Sequence, residues 1–530
     1  NRWNSGIDIN QKCEVRTYGS NTGSIVYALY DGKIYNGTGS AGGIGNSENS
    51  SYYETGTQDQ SETNARIGVA VDIDAGKVWF RFNNGSWENS GGDPTNASAN
   101  GTVTFTANSL VQPLIGGYSA SGTSCNATFY FQESEWTDTA PADYGEWKTS
   151  RLAAPTATPA SHFNTVLYNG TYDSYYGVGT SSQSITGVGF SPGIVWVKDR
   201  DGLSATYSNS YNGHYWLDTL LGTGGAFNVD RDNSSHSGTS LASGEDGISS
   251  FDSDGFTVDE AEETNFLADL YGNGAVTFAE RYVAWCWKLG TTASSWSGGG
   301  QDPDTEHYNS DAGISIINYY DYDGNGTSIS INHSLGEAPE FAISMDYGDY
   351  IGGHHVWHKD LTANNYLDLS GTGAQSSDSS YFPSSPATNT TFTGGSSIVD
   401  SNTSHIVLFR SVEGFSKFGK YTGNGSSGDA APFIYTGFRP RWIMVKPIDD
   451  SYAWYIHDTA RSPYNYSDNE LVANTSGSEY SVSGASAGER LDILSNGFKH
   501  RTSNVAMNAN NKTMIYAAFA ESPLKYANAR

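Results

Sequence analysis

The segment FSPGIVWVKDRDG (Phe190–Gly202) returns near the C-terminus in closely similar form as FRPRWIMVKPIDD, which begins at Phe438. In each copy a proline precedes a short apolar run, and its fixed φ suits a strand entry at which no ladder donor is needed. Each run ends in a lysine, Lys198 or Lys446, which we expect at the solvent-exposed end of the strand. A repeated segment of this kind predicts a repeated building block rather than a catalytic loop.

The apolar run also predicts which side chains share a face. Successive side chains alternate in a strand, so Ile194 and Trp196 are expected on one face. Val195 and Val197 are expected on the other. Nearly all of these positions are apolar, which is typical of a strand covered on both faces. The segment is therefore predicted to be a central strand of a β-sandwich and to serve as scaffold.

A third, more divergent copy lies between these two and begins at Pro339 as PEFAISM. Every copy is followed by an aromatic segment with an Asp as its last or next-to-last residue. The three segments read HYWLDT, HVWHKD and WYIHDT. Every copy then closes with an apolar strand, YVAWCW, HIVLF or MIYAAFA. The loops vary in length while the strands are retained, which is typical of divergent copies of one β-domain.

The composition favours an all-β protein. The chain holds 62 Gly, 35 Tyr, 22 Phe and 13 Trp, and only 16% of its residues are charged, which is typical of many short strands joined by turns. At 530 residues it is too long for one hydrophobic core. We predict tandem β-sandwich domains: a first sandwich at 1–150, a Pro-containing linker at 151–162, and three related β-sandwich repeats at 163–295, 296–418 and 419–530.

The charge balance limits the classes of molecule that the chain can bind. The chain has 57 Asp and Glu against 28 Lys and Arg, a formal net charge of −29, which excludes nucleic acid and anionic membranes as main partners. No apolar run is long enough to predict membrane insertion. Cys13, Cys125 and Cys286 are too few and too scattered for a disulfide framework or a zinc site, and Cys286 is predicted to be a buried, inert thiol.

Residues 66–87 predict a β-hairpin followed by a further strand. Apolar residues alternate along the first arm at Ile67, Val69, Val71 and Ile73. The sequence at 74–77, DAGK, is a tight turn, and KVWFRF is the returning strand. A second turn at 83–85, NNG, leads to a strand that contains Trp87.

This hairpin, together with QPLIGGYSASGTSCNATFYF at 112–131, resembles a SPRY (B30.2-type) domain. The resemblance implies a concanavalin-like β-sandwich (jelly roll) for residues 1–150, whose first strands lie before residue 1. It also implies partner binding through loops at one end of the sandwich, and no catalytic chemistry. The loops of this chain match no ligand motif of that family.

The repeats, the junction HFNTVLY at His162–Tyr168 and the C-terminal IYAAFAESPLKYANAR resemble a domain of virion proteins of tailed phages, particularly marine ones. In those proteins the domain often follows a SPRY-like module, as it does in this sequence. The outer two repeats match well, whereas the middle one departs from the pattern. The resemblance implies a location on the particle surface and supplies no functional residues.

The segment DYDGNGTS could begin a calcium loop of the D-x-D-x-N-G type. Asp321, Asp323 and Asn325 would present hard oxygen ligands on alternate residues. The position of the closing bidentate Glu, however, is occupied by Asn332. The repeat alignment also places the segment over the opening turns YNGTYDSYYG and YTGNGSSG. A β-turn is therefore favoured over a calcium site, and no other cofactor is predicted.

Two other groups of residues, a histidine cluster and an acidic run, could form a metal site or a catalytic site. In HHVWH a strand would place His354 and His358 on one face and His355 on the other, so one chain offers at most two metal ligands. A fibre trimer could still build a metal site around its axis, but aromatic contacts are favoured.

The acidic run DEAEET (Asp259–Thr264) has the paired carboxylates that a glycosidase needs, but its turn-rich setting favours a solvated loop. Hydrolase, zinc-protease and phosphate-loop motifs are absent, so we predict no catalytic, cofactor-binding or metal site and no enzyme activity.

The expected function is that of a structural protein on the surface of a tailed-phage virion. As a tail-fibre or head-fibre component it would present loops for attachment to a host-surface glycan or protein receptor. Its expected partners are other virion proteins and copies of itself, as a homotrimer if it is a fibre, with neither nucleic acid nor membrane insertion. One alternative is a capsid decoration protein that stabilises or studs the head, and a second is a polysaccharide-degrading tail enzyme.

Overall fold

The chain folds into two compact units, Asn1–Leu152 and Ala153–Arg530. The computed structural model describes residues 2–10, 13–19, 23–28, 33–37, 65–72, 75–82, 87, 93–95, 103–104, 111–117, 126–130, 136, 140–141, 144–146, 158–173, 178–179, 182–201, 213–223, 225–230, 247–259, 267–269, 277–320, 328–346, 354–399, 403–481 and 491–523. With 49% strand and 3% helix, the all-β prediction is confirmed. Among these residues no helix is long and apolar enough to cross a membrane.

The first unit contains two sheets. Its strands are β1 (Arg2–Asn10), β2 (Cys13–Gly19), β3 (Gly23–Ala28), β4 (Lys33–Gly37), β5 (Ala65–Asp72), β6 (Lys77–Phe82), β7 (Val103–Thr104), β8 (Val111–Gly117), β9 (Asn126–Tyr130) and β10 (Gly145–Glu146). One sheet has the order β10-β1-β5-β6-β7, with β9 also paired to β1, and the other has the order β4-β3-β2-β8.

The predicted hairpin is present as β5 and β6, which pair antiparallel. The amide of Ala75 donates to Asp72 Oδ1 (3.0 Å), which fixes the turn between them. The predicted second turn at 83–85 lies outside the described residues. Trp87 forms a bridge with Arg81, whose guanidinium lies 4.6 Å from the centre of the indole ring.

The second unit contains three large sheets and several small ones. The first repeat supplies β11 (Phe163–Asn169), β12 (Tyr172–Asp173), β13 (Val178–Gly179), β14 (Gln183–Thr186), β15 (Ile194–Asp199), β16 (His214–Asp218), β17 (Phe227–Asn228), β18 (Ile248–Asp252), β19 (Gly255–Val258), β20 (Leu267–Asp269), β21 (Thr277–Ala279) and β22 (Arg281–Trp287). The second supplies β23 (Thr291–Thr292), β24 (Thr305–Asn309), β25 (Ile314–Tyr320), β26 (Ile329–Asn332), β27 (Phe341–Asp346), β28 (His355–His358), β29 (Asn365–Asp368), β30 (Ser376–Ser377), β31 (Thr391–Gly394) and β32 (Thr403–Phe409).

The third repeat supplies β33 (Ser416–Thr422), β34 (Phe433–Tyr435), β35 (Phe438–Pro447), β36 (Tyr455–Asp458), β37 (Asn469–Val472), β38 (Tyr480–Ser481), β39 (Leu491–Leu494), β40 (Gly497–His500) and β41 (Thr513–Pro523). A short helix, α1 (Val505–Asn508), and a 3-10 turn at Gly428–Ala430 lie in the same repeat. A further 3-10 turn, Pro159–Ser161, precedes β11, and its Pro159 is buried. The remainder of the predicted linker, up to residue 157, lies outside the described residues.

The strand order of the three large sheets is the same. Five strands recur as β11-β22-β15-β16-β17, as β25-β32-β27-β28-β29 and as β33-β41-β35-β36-β37. In each, the strand with the entry proline pairs with the closing apolar strand of its own repeat. Each large sheet also has a small outer sheet: β14-β19-β18, β26-β31 and β34-β40-β39. The repeats inferred from the sequence therefore share one topology.

The central strands are covered on both faces, as predicted. Ile194 and Trp196 belong to a large central core, whereas Val195 and Val197 belong to a separate core beneath the outer sheet. All four are at most 1% exposed, because one face packs on other repeats and the opposite face packs on the repeat's own outer sheet. Burying an apolar side chain of this size stabilises the fold by about 1.5–3 kcal/mol.

The inner faces of the three large sheets form one continuous core. Phe163 of the first sheet stacks on Phe519 of the third, with ring centres 5.1 Å apart. Phe519 also contacts Phe409 of the second sheet at 6.0 Å, and Phe227 of the first contacts His405 of the second at 5.1 Å. Every sheet thus contacts the other two, within one compact unit. The boundaries between the repeats remain predictions, although β23 (Thr291–Thr292) pairs within the second sheet, before the predicted boundary at 295, and β33 places Ser416 in the third sheet, before the predicted boundary at 418.

Candidate functional site

The candidate site is the junction at which the three large sheets meet. At each boundary a ring nitrogen of one sheet donates to a backbone carbonyl of another. The bonds run from His214 Nε2 to Val472 O (3.0 Å), from His354 Nε2 to Asn228 O (2.9 Å) and from Trp454 Nε1 to Asp368 O (2.8 Å). The first sheet donates to the third, the third to the second and the second to the first, so the three bonds form a closed cycle.

The three rings occupy equivalent positions in their repeats. The carbonyl of each ring residue accepts from a matching amide: Val229 N to His214 O (2.7 Å), Leu369 N to His354 O (2.7 Å) and Ala473 N to Trp454 O (2.9 Å). HYWLDT therefore aligns with WYIHDT. In the middle copy the equivalent hexapeptide is HHVWHK, one residue earlier than the predicted HVWHKD. The difference matters because a one-residue slip moves every side chain of a strand to its opposite face.

The protonation of His214 follows from its neighbours. Its Nδ1 accepts from Trp196 Nε1 (3.1 Å), so the proton of the neutral ring lies on Nε2, which donates across the boundary. Burial, together with the nearby charge of Lys198, lowers the pKa of His214 well below its ordinary value. The ring therefore stays neutral and acts as a fixed donor.

Both repeat lysines lie at this junction, so the prediction of a solvent-exposed strand end was wrong. Lys198 and Lys446 are 0% exposed. Lys198 Nζ donates to Ser476 O of the third repeat (3.3 Å), and Lys446 Nζ donates to Gly373 O of the second (2.8 Å). These carbonyls belong to other repeats, so they replace the water that a strand end would otherwise need.

Burial also lowers the pKa values of these lysines. The pKa of Lys446 falls to about 8. Both ammonium groups donate in addition to the carbonyl of the following residue, Asp199 (2.6 Å) or Pro447 (2.9 Å). The equivalent residue of the middle repeat is Met345, which is buried in the central core.

A buried ion network joins the first and third repeats. Trp285 Nε1 donates to Asp458 Oδ2 (3.1 Å), and Arg461 Nε donates to the same oxygen (2.5 Å). Arg461 also contacts Glu479 at 3.2 Å, and Glu479 binds Arg200 in a bidentate pair at 2.8 and 3.0 Å. Although burial opposes ionisation, Arg461 holds the pKa of Asp458 below its ordinary value. The carboxylate is therefore charged and fully engaged.

A second buried pair joins the first and second repeats. His405 Nε2 lies 2.9 Å from Asp218 Oδ2, and its Nδ1 lies 2.7 Å from Asn318 Oδ1. Trp216 Nε1 donates to the same oxygen of Asp218 (2.9 Å). Burial opposes ionisation of Asp218, but His405 and these hydrogen bonds lower its pKa. Asp218 occupies the position of Asp458 in its repeat, so two of the three repeats place a buried carboxylate at a boundary.

One carboxyl pair was not predicted. Asp199 and Glu280 are 0% and 1% exposed, and their carboxyl groups are hydrogen-bonded to each other. Burial, and then the charge of Asp199, raises the pKa of Glu280 to about 9. The pair therefore holds one shared proton at neutral pH. Sequence analysis missed it because Asp199 ends β15 and Glu280 precedes β22, far apart in the chain.

The three histidines of HHVWH face as predicted. His354 and His358 contact Phe227 and Phe341 of the central core, whereas His355 lies on the opposite side of the strand. His355 Nδ1 is 2.9 Å from the carboxylate of Asp368. Across the described ranges, no group of three His, Cys, Asp or Glu residues is arranged to hold a metal ion.

The other predicted residues can be placed only in part. Asp321, Asp323 and Asn325 lie outside the described residues, as does the acidic run after Asp259. Asn332 is buried and its amide is occupied, accepting from Gly300 N (2.9 Å) and donating to Asp302 Oδ1 (2.7 Å).

Cys286 is fully buried, as predicted, and burial raises the pKa of its thiol. Cys13 lies in β2, and Cys125 lies outside the described residues.

The junction therefore holds the three sheets together through its buried polar groups. Its carboxylates, lysines and histidines are buried, and the groups described above bind each other or backbone carbonyls. The family described as "Domain of unknown function (DUF7483)" matches residues 158–523. The chain belongs to this family. The DUF7483 region begins at Thr158 and ends at Pro523, the last residue of β41, so it spans all three sheets rather than a single repeat. No curated protein matches the chain.

Proposed function

We propose that the protein is a non-enzymatic structural component of a tailed-phage virion surface, acting as a tail-fibre or head-fibre part that attaches to the host. The observation that carries the proposal is the closed three-sheet junction. It buries ionisable groups as bonds between repeats, which suits a rigid display scaffold. The resemblance of the repeats to phage virion proteins supplies the location.

The acidic surface fits this role. A net charge of −29 keeps a particle surface hydrated and disfavours non-specific binding to nucleic acid. For residues 1–150 we retain the SPRY-like assignment as part of the proposal, with its loops as a second attachment surface. The hairpin of β5 and β6 is the feature on which that assignment rests.

The junction also bears on self-association. Three repeats of one chain already enclose a common core, so unit 153–530 needs no second copy to complete it. A homotrimer, expected if the protein is a fibre, would therefore use outer surfaces of this unit or the first unit.

Immunogold electron microscopy of purified particles, with antibodies against residues 419–530, tests the proposal. Gold on tail appendages would support a fibre, and gold over the head would support the decoration alternative. Unlabelled particles, with the epitope accessible in the free protein, would refute the virion assignment. A second measurement tests attachment: purified protein should adsorb to host cells and compete with infection, and a failure to do so would leave only a structural role.

A further inference from the structure

Four of the five exposed aromatic side chains among the described residues lie beside the outer sheet of the third repeat, and the fifth, Tyr480 (59% exposed), lies in β38 of its large sheet. Phe433 and Tyr435 of β34 are 44% and 39% exposed, and Tyr464 and Tyr466 are 77% and 51% exposed. We call these four residues the outer aromatic face. Among the described residues of the first two repeats, the only exposed large hydrophobic side chain is Leu167.

The four rings stand at the two edges of the outer sheet β34-β40-β39. Phe433 and Tyr435 belong to the edge strand β34, and alternate with Ile434, which points into the core beneath. At the opposite edge the segment around Asn465 runs beside β39, since Asn465 Nδ2 donates to Ile493 O (3.1 Å) and Ile493 N donates to Asn465 Oδ1 (2.9 Å).

Tyr464 and Tyr466 flank Asn465 and are therefore held along this edge. The bond from Ser467 N to Leu491 O (2.8 Å) continues the same alignment. The two aromatic edges are separated by three strand spacings, roughly 14 Å. Exposed aromatic side chains therefore lie along both edges of this sheet.

The other two repeats show that the scaffold does not need aromatic residues here. Ile185, Ile331 and Ile434 are equivalent, because they pair with Phe256, Phe392 and Phe498. The residues that flank these isoleucines are the exposed Ser184 and Thr186 in the first repeat, the half-buried Ser330 and the buried Asn332 in the second, and the exposed Phe433 and Tyr435 in the third. Small polar residues therefore suffice to form this sheet. The exposed rings of the third repeat serve something other than folding.

The cationic side chains at this face already have hydrogen-bond partners within the chain. Lys499 Nζ donates to the carbonyls of Asp429 and Ala431, both at 3.0 Å. Arg501 binds Asp429 Oδ1 (2.6 Å) and Asp492 Oδ2 (2.5 Å). These cations are committed to internal partners, so the face offers little to a phosphate, sulfate or carboxylate ligand. An acidic chain would in addition repel a polyanion. An anionic occupant is therefore disfavoured, whereas an uncharged one fits.

The exposed area of the four rings distinguishes between a protein partner and an oligosaccharide. A Phe or Tyr side chain presents roughly 150–250 Å², so the exposed parts of the four rings amount to roughly 300–500 Å². A stable protein interface needs about 800 Å² from each partner, which is more than this face supplies. A sugar ring presents an apolar C–H face that stacks on an aromatic ring, and hydroxyl groups that bond to tyrosine. We propose that the outer aromatic face binds a neutral oligosaccharide.

This inference deepens the proposed attachment function and rests on it. The test is an array of neutral and acidic oligosaccharides probed with the purified full chain and with the double variant Phe433→Ser/Tyr435→Thr. The substituted residues are those that the first repeat carries at the same positions, so the variant is expected to fold. The wild-type chain should bind neutral glycans, and the double variant should bind them at least tenfold more weakly.

The matched control is Leu167→Ser, which removes an exposed apolar side chain from the first repeat and should leave glycan binding unchanged. Unchanged circular dichroism and melting temperature would show that each variant is folded. Binding to acidic glycans alone, binding that survives the double substitution, or an absence of glycan binding would overturn the proposal. So would a wild-type dimer that the double substitution converts to a monomer, since a second copy would then be the occupant.

The two proposals fail in different ways. If the double variant competes with infection as well as the wild-type chain does, attachment stands and the outer aromatic face is not its site. If the wild-type chain binds neutral glycans on the array but gold labelling finds no protein on particles, the face is a lectin site and the virion assignment is wrong.

Discussion

At the scale of single residues, Glu280 makes stability depend on pH in a direction opposite to that of most carboxylates. Its folded pKa of about 9 lies above its ordinary value, so between about 4.5 and 9 the folded chain holds a proton that the unfolded chain has released. Its contribution to the free energy of unfolding is fully present below pH 4.5 and falls by about 1.4 kcal/mol per pH unit above it.

Glu280→Gln should remove this dependence, because an amide can donate to Asp199 as the protonated acid does. We expect the variant to melt at a higher temperature than the wild type at pH 8 and at the same temperature near pH 4.5. Thermal unfolding followed at several pH values between 4.5 and 9 checks this. Melting curves that differ by a constant amount at every pH would contradict the shared proton.

His500 should act in the opposite direction. It is fully buried, packs against Tyr421 and Phe498, and burial lowers its pKa to about 3. The unfolded ring titrates near 6.5, so its contribution is fully present above pH 6.5 and is lost as the pH falls toward 3. Phe fits the same space without a titrating group.

The variant His500→Phe should therefore be about 2 kcal/mol more stable than the wild type at pH 5, beyond any difference at pH 7.5. Urea unfolding at both pH values measures this. A difference of the same size at both pH values would argue against burial of a titrating ring as the cause.

At the scale of elements, the junction bonds should be separable from the apolar packing around them. Trp454 Nε1 donates to Asp368 O across a boundary, whereas the indole nitrogen of Trp442, in the same core, has no hydrogen-bond partner. Trp454→Phe and Trp442→Phe remove the same atoms, so their difference isolates the hydrogen bond.

We expect Trp454→Phe to lower the free energy of unfolding by about 0.5–1.5 kcal/mol more than Trp442→Phe, because it removes a hydrogen bond across the boundary while the carbonyl of Asp368 keeps only its bond from Gly371 N (3.3 Å). Chemical denaturation of the two variants under the same conditions provides the measurement. Equal losses would mean that the hydrogen bond across the boundary contributes no net stability.

The elements themselves were predictable from local pattern. Alternation along Ile194–Val197 gave the central strand and both of its faces, and the turn at 74–77 gave the hairpin. The burial of Lys198 was not predictable from the sequence, because the carbonyl that accepts its hydrogen bond, that of Ser476, belongs to a different repeat. A lysine at a strand end is ordinarily solvated, and only the approach of another sheet makes burial tolerable. The same holds for the pair of Asp218 and His405.

At the scale of the whole molecule, the shared core predicts cooperative unfolding of the second unit. Independent domains would each melt separately, whereas three sheets around one core lose their common packing together. Differential scanning calorimetry of residues 153–530 should show one transition whose calorimetric and van't Hoff enthalpies agree. Three resolved transitions would show that each repeat is stable alone and that the junction adds little.

The sequence identified three related repeats but not their closure into one body. Repeats in a chain are compatible with a string of separate sandwiches as well as with a closed arrangement. The distinction lies in the inner faces: Trp196, Phe341 and Trp442 looked like ordinary sandwich core residues. Their partners across the boundaries are not visible in any single repeat.

The cyclic junction also affects how freely the residues at each boundary between repeats can be substituted. In a trimer of identical chains, one substitution changes three symmetry-related contacts at once, so its cost is multiplied by three. Within this chain each boundary is encoded separately, and Met345 stands alone where the other repeats have a buried lysine. Each repeat can therefore lose or acquire a buried or an exposed side chain without the same change in the other two repeats.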